Sequence, residues 1–282
     1  MMEPTTVQPH ILVVDGMNFL HRARSGWKLG PAPVVFNFMR TFRALVEQFK
    51  PTRIYFVLEG DPKQRRDILP EYKANRQVEA GTPEHQELAK FFAQVGEITG
   101  LLARVFPVSV VRHPRYECDD TIYNLIKRSS SAINWTVVSN DSDFTQLLNE
   151  FGHVRVYNPM MKTFVTCPDW DYVSWKALRG DGSDNIPGIP GVGDKGAEQY
   201  VNDPDLLQEL LADPVAGAIF ERNYELIKFI EWSDADALEM LSSAPRKDWE
   251  QLRETFVKYE FKSLLKESTW DKFTATFDHL WG

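Results

Sequence analysis

Two carboxylates, Asp141 and Asp143 in "SNDSDFTQLL", stand one residue apart just after the apolar run "WTVV". Alternate residues at a strand end share a side, so both acids can converge on one point in spite of their repulsion. Further acids occupy comparable places: Asp15 after "ILVV", Glu59 after "RIYFVL", Glu117, Asp119 and Asp120 in "YECDD", and Asp181 and Asp184 in "RGDGSDN". Singly, each has an ordinary explanation, Asp15-Gly16 as a turn and Asp119 or Asp120 as a helix cap. As a set they would repel at great cost unless cations neutralise them. Oxygen donors with no accompanying His or Cys spacing suit Mg²⁺ or Mn²⁺. This many acids suit two ions about 3.5–4 Å apart, an arrangement fitted to phosphodiester hydrolysis.

A second constellation is basic. "DPKQRRDILPEYKANR" carries Lys63, Arg65, Arg66, Lys73 and Arg76 against three acids, in a chain of net charge −8. Lys73 and Arg76 share a face if the segment is helical, and Tyr72 stands beside them. A solvated charged helix is one reading; a phosphate clamp with an aromatic that can stack on a base is the other. "GIPGVGDKG" then sets Gly191, Val192, Gly193 and Lys195 before a helical segment. Glycines admit close backbone approach and a helix start offers N–H groups to phosphate. The segment follows no strand, so it reads as a hairpin between helices that grips a nucleic-acid backbone, not as a dinucleotide loop.

The elements that must position these groups follow from the apolar pattern. "ILVVDG", "RIYFVLEG", "VSVV", "WTVVSND" and "HVRVYN" read as five short strands, with helical runs such as "VVFNFMRTFRALVEQF", "TPEHQELAKFF" and "DDTIYNLIKR" between them. Strands alternating with helices imply a mostly parallel sheet covered on both faces. Its functional groups gather at the carboxyl ends of the strands, where Asp15, Glu59 and Asp141/Asp143 fall. Beyond about Tyr172 the pattern becomes helical with no evident strand, so two regions are expected, 1–172 and 173–282. With 43% hydrophobic and 26% charged residues the composition is that of a globular protein. No apolar run nears the ~18 residues of a membrane span, and "MMEPTTVQPH" lacks the pattern of a signal peptide. A cytoplasmic protein without a membrane segment is expected. Cys118 and Cys167 give no disulfide framework.

Taken in order, "VVDGMNFLHRA", "VLEGDPKQRRDILPEYKANR", "YECDD", "SNDSDFTQLL" and "RGDGSDNIPGIPGVGDKGA" resemble the structure-specific 5′ nucleases. That family includes phage flap endonucleases and the 5′-nuclease domain of bacterial DNA polymerase I. The resemblance covers roughly residues 10–200 and implies an α/β, PIN-like fold followed by a helix-three-turn-helix region. It implies a first metal cluster of Asp15, Glu59, Glu117 and Asp119. A second would comprise Asp120, Asp141, Asp143 and Asp184, with Asp181 a ligand or close behind one. Lys73 and Arg76 would contact the scissile phosphate, Arg22 and Arg65 the nucleic acid, and Tyr72 would stack on the terminal base. An arch near residues 61–95 would admit a single strand, and the hairpin at Gly191–Lys195 would grip duplex DNA and hold K⁺. Glu59 stands where the family more often has Asp, leaving Asp61 as the alternative ligand. Cys118 stands where Ala is common and reads as a small buried filler.

The expected activity is a Mg²⁺- or Mn²⁺-dependent flap endonuclease and 5′-3′ exonuclease acting on branched or nicked DNA in replication and repair. The alternatives are RNase H-like removal of RNA primers from RNA/DNA hybrids and a non-catalytic branched-DNA binder.

Overall fold

The computed structural model describes residues 9–26, 28 and 30–281. The first half of the chain runs β1 (His10–Asp15), α1 (Gly16–Arg24), α2 (Pro33–Phe49), β2 (Arg53–Leu58), α3 (Lys63–Ile68), α4 (Pro83–Val105) and β3 (Ser109–Arg112). It continues with α5 (Cys118–Lys127), β4 (Asn134–Val138), α6 (Thr145–Glu150), β5 (Val154–Asn158) and β6 (Thr163–Phe164). Next come α7 (Tyr172–Arg179), the short pair β7 (Gly180–Asp181) and β8 (Ile186–Pro187), then α8 (Asp194–Asn202), α9 (Pro204–Leu211) and α10 (Pro214–Ile227). The chain closes with α11 (Asp234–Leu238), β9 (Leu241–Ser242), α12 (Trp249–Lys258), α13 (Lys262–Leu265) and α14 (Glu267–Asp278).

Seven strands form one sheet in the order β6-β5-β4-β1-β2-β3-β9. The five expected strands are its parallel centre, and the two-residue strands β6 and β9 are antiparallel additions at the edges. Period-two alternation along β1 serves both faces: Leu12 and Val14 join one core, Ile11 and Val13 the other. Helix α4 starts as expected, with Pro83 in its first turn and the Thr82 hydroxyl accepting the His85 N–H at 3.2 Å.

The C-terminal region departs from expectation. Beyond Tyr172, where no strand was expected, lie the short strands β7, β8 and β9, and the last helices pack into the first core. Leu252, Phe256, Phe273 and Phe277 are fully buried in the same core as Phe38, Phe42, Phe56 and Phe106. Phe277 stacks on Phe42 at 5.8 Å and meets Phe106 edge-on at 5.1 Å. Each such ring contributes about 1.5–3 kcal/mol by leaving water, and one face of α2 and α4 would be bare without them. Strand β9 likewise returns to the sheet beside β3. The stretch from α7 to α10 packs into two smaller cores, one around Leu178 and one around Leu226 that also takes in Leu69 and Tyr72. No described helix is long and apolar enough to cross a membrane.

Candidate metal centre

Parallel strands bring their carboxyl ends to one sheet edge. Asp15, the last residue of β1, caps α1 by accepting the Asn18 N–H, and its other oxygen accepts the Ser139 hydroxyl at 2.7 Å. Burial, then the charge of Glu59, push the Asp15 carboxyl up to about 6. Glu59 follows β2 and accepts the Cys118 N–H at 3.0 Å, whereas Asp61 turns outward to pair with Arg66. By position Glu59, not Asp61, lies beside Asp15 and Glu117. Cys118 is the expected filler: its buried thiol sits 3.5 Å from the Val57 carbonyl and burial holds its pKa high.

Two tight acidic groups emerge. Oxygens of Glu117, Asp119 and Asp120 lie within 4.8 Å of one another, as do oxygens of Asp143, Asp181 and Asp184. This corrects one expectation. Asp120 belongs beside Glu117 and Asp119 at the start of α5, not with the Asp143 group. Asp141 and Asp143 stay near enough that burial and then the charge of Asp141 raise the Asp143 carboxyl, although after Ser139 the chain enters a 3-10 helix instead of continuing the strand. Asp141 caps that turn, accepting the Asp143 N–H at 3.0 Å, while Asp143 points to Asp181.

Basic side chains are interleaved with the acids. Lys73 pairs with Glu117 and lies 3.6 Å from Asp184; Arg76 also pairs with Asp184. Lys73 holds a left-handed backbone (φ 56°), a costly conformation for a residue with a side chain, and its N–H is bonded to the Asp184 carbonyl. Burial opposes the charge of Lys73, but Glu117 and Asp184 outweigh it and raise its pKa. Lys176 of α7 pairs with Asp143 and lies 2.6 Å from Asp181. Burial alone would raise the Asp181 carboxyl, yet Lys176 and Ser183 hold it down at about 2.

Two further expectations are corrected. Arg65 is 2% exposed, so it cannot reach a bound nucleic acid; it forks onto Asp120 at 2.6 and 2.9 Å and reaches Glu117 at 2.8 Å. Tyr72 is 5% exposed, with its hydroxyl 2.9 Å from Glu117 and 3.0 Å from Asp184, so its ring offers no open face for stacking. Arg22 lies half-buried in the last turn of α1 over the Phe19 ring. Gly191, with φ 84°, and Gly193 and Lys195 are exposed at the start of α8, with Val192 half-buried between the glycines. Helix α8 packs on α7, and Arg179 of α7 bridges to Asp194 at 3.0 Å. Sequence reasoning missed Lys176 and Ser139. A lysine five residues before Asp181, on the apolar helix "YVSWKAL", was the available clue to the first.

The donor set fits hard divalent cations. Nine carboxylates face four cations, Arg65, Lys73, Arg76 and Lys176, so with all acids ionised five negative charges remain. Oxygens are the available ligands and two groups already stand within coordinating reach of a shared centre.

The family model of the 5′-3′ exonuclease N-terminal resolvase-like domain matches residues 10–174. The 5′-3′ exonuclease of Aquifex aeolicus is 28% identical over 286 residues, spanning 91% of this chain and 94% of that protein. DNA polymerase I of Chloroflexus aurantiacus is 29% identical over 233 residues, which are 73% of this chain but only 24% of the polymerase. Among solved structures, the bacteriophage T5 D15 flap endonuclease, in a pseudo-enzyme-product complex with DNA and metal ions, has a TM-score of 0.64 at 18% identity, covering 97% of this chain and 100% of its own. The catalytic core of Rad2 in complex with DNA substrate has a TM-score of 0.55 at 13% identity, covering 98% and 95%. The two structures share the fold.

Proposed function

The chain belongs to the 5′-3′ exonuclease family by its N-terminal resolvase-like domain, and on that premise we propose a divalent-metal-dependent 5′ nuclease that cuts branched or nicked DNA. The observation that carries the reading is the meeting of nine carboxylates with Lys73 and Arg76 at one sheet edge. Glu117, Asp119 and Asp120 form one candidate ligand group, Asp143, Asp181 and Asp184 the other, with Asp15, Glu59 and Asp141 alongside. Mg²⁺ or Mn²⁺ bound there would lower the pKa of water and offset charge on the phosphate oxygens.

The chain's own groups do the rest. Lys73 and Arg76 offer cationic donors that can leave their carboxylate partners for a phosphate, orienting it over the acids. Gly191 and Gly193 present backbone N–H groups and Lys195 a cation to a duplex backbone, without reading bases, while the Val192 N–H between them closes the turn on the Ile189 carbonyl. Carbonyls of the same hairpin are the proposed K⁺ ligands. Arg22 extends the cationic surface toward the single strand, which passes the segment of residues 61–95. RNA/DNA hybrids are a second substrate, since phosphate contacts do not separate the sugars.

Cleavage of a 5′-labelled flap duplex with Mg²⁺, with EDTA, and by an Asp143→Asn variant tests the reading. Metal-dependent cuts near the junction, lost in the variant, are expected. Binding without cutting would leave a branched-DNA binder.

A further inference from the structure

Between α10 and α11 the chain runs without regular structure as a half-buried strap, with Phe229 and Trp232 buried and Glu231 exposed, and side chains take up its backbone groups one after another. Arg65 donates to the Leu226 carbonyl at 2.8 Å and to that of Lys228 at 3.4 Å. Gln146 donates to the Ile227 carbonyl at 3.1 Å and accepts the Phe229 N–H at 3.3 Å. Asp120 accepts the Ile230 N–H, Asn124 donates to the Ile230 carbonyl and accepts the Trp232 N–H, each at 2.8 Å. Arg128 closes the series on the Trp232 carbonyl at 2.7 Å. Asp120, Asn124 and Arg128 are four apart, one ladder along a single face of α5.

A buried loop needs such partners for its peptide groups, but this one also has a mechanical position. Asn124 and Gln146 are 1% and 9% exposed, and each binds the strap as donor and acceptor at once, which fixes it in two directions. At its start the strap continues α10, whose fully buried Asn223 donates to the Ala177 carbonyl of α7 and to that of Pro187. Helix α7 carries Lys176, and the β7–β8 turn bears Asp181 and Asp184. At its end the strap leads to β9 and the sheet. The two ends of the proposed DNA path, the α7–α8 hairpin and the acids on the sheet, are thus held in register by these hydrogen bonds.

We propose that Asn124 and Gln146 are positioning residues that set which phosphodiester is cut. This rests on the nuclease reading above. Among the described hydrogen bonds neither side chain meets a carboxylate of the acids, although Asn124 also donates to the Asp120 backbone carbonyl at 2.8 Å; they act through the strap.

The test uses the full chain, a 5′-labelled flap duplex with Mg²⁺, and the variants Asn124→Ala, Gln146→Ala and their combination. Circular dichroism confirms native content, and duplex affinity is measured in chelator. A misplacement of about 1 Å at the reacting atoms costs about 100-fold. The expected result is a fall in kcat of about 10–100-fold, with products spread to neighbouring phosphodiesters and duplex Kd unchanged. If Asn124→Ala does not fold, Gln146→Met, which keeps the side-chain volume, carries the test. Cutting at the wild-type phosphodiester with the wild-type kcat would overturn the proposal, as would a loss that tracks unfolded protein with the position unchanged. A wild type that cuts nothing would instead remove the nuclease reading, and the proposal with it.

Discussion

Replacing Arg65 by Met removes a buried charge while nearly keeping its volume. The guanidinium makes three bonds of 2.6–2.9 Å to Asp120 and Glu117 and a fourth of 2.8 Å to the Leu226 carbonyl. Removing one partner of a buried pair strands the other charge, at about 3–5 kcal/mol. Against a total stability of about 5–15 kcal/mol that is a large fraction. With a urea slope of about 3 kcal/mol/M it moves the midpoint down by about 1–2 M. The eight tryptophans make intrinsic fluorescence a usable probe, and the work is done in EDTA so that no added ion replaces the lost charge. Adding Asp120→Asn should restore about 1–3 kcal/mol, because a neutral amide oxygen still accepts the Ile230 N–H without a stranded carboxylate. A cost under about 1 kcal/mol, typical of a surface pair, would refute the assignment of Arg65 as internal counter-charge. So would a normal midpoint joined to weakened DNA binding with one fewer phosphate contact in its salt slope.

Asp15→Asn should abolish cleavage yet stabilise the chain in EDTA at pH 7. The folded carboxyl is raised to about 6, so its proton favours the native state below pH 4 and that stability is lost as pH rises from about 4 to 6. The loss amounts to about 2–3 kcal/mol, and the variant's stability should lack this slope. Phe277→Ala should cost about 3–5 kcal/mol in urea unfolding, since the ring is fully buried against Phe42 and Phe106; a value near zero would detach α14 from the sheet core. Gly60→Ala should depress soluble expression and midpoint alike, because the added carbon would lie 2.0 and 2.1 Å from the His113 and Tyr116 carbonyl oxygens.

The parallel centre of the sheet was readable because each strand is a short apolar run ending in an acid or a turn, a pattern that needs no distant partner to interpret. The acids at those ends were readable for the same reason. What escaped depends on contacts far along the chain. Arg65 and Lys73 look alike in one basic segment, but Arg65 is neutralised by residues 52 and 55 positions later and Lys73 by residues 44 and 111 later. Nothing local says which of them faces solvent. The Asp141/Asp143 spacing was read on a continuing strand; the two acids do repel, but across a 3-10 turn that their spacing does not announce. Phe273 and Phe277 have core spacing, but spacing does not say whose core. Strand β9, at two residues, has no period to detect.

The return of α14 to the first core also has a consequence for protein synthesis. Leu12 and Phe277 belong to one apolar cluster, so the sheet that carries the acids cannot finish packing while the later helices are still unmade. A ribosome must translate through Phe277, and release it from the exit tunnel, before that cluster can close. The nascent chain therefore holds all nine candidate ligands, the last of them Asp184, long before it can hold them in place. A nuclease of the kind proposed would in this way stay inert until the ribosome has passed Phe277.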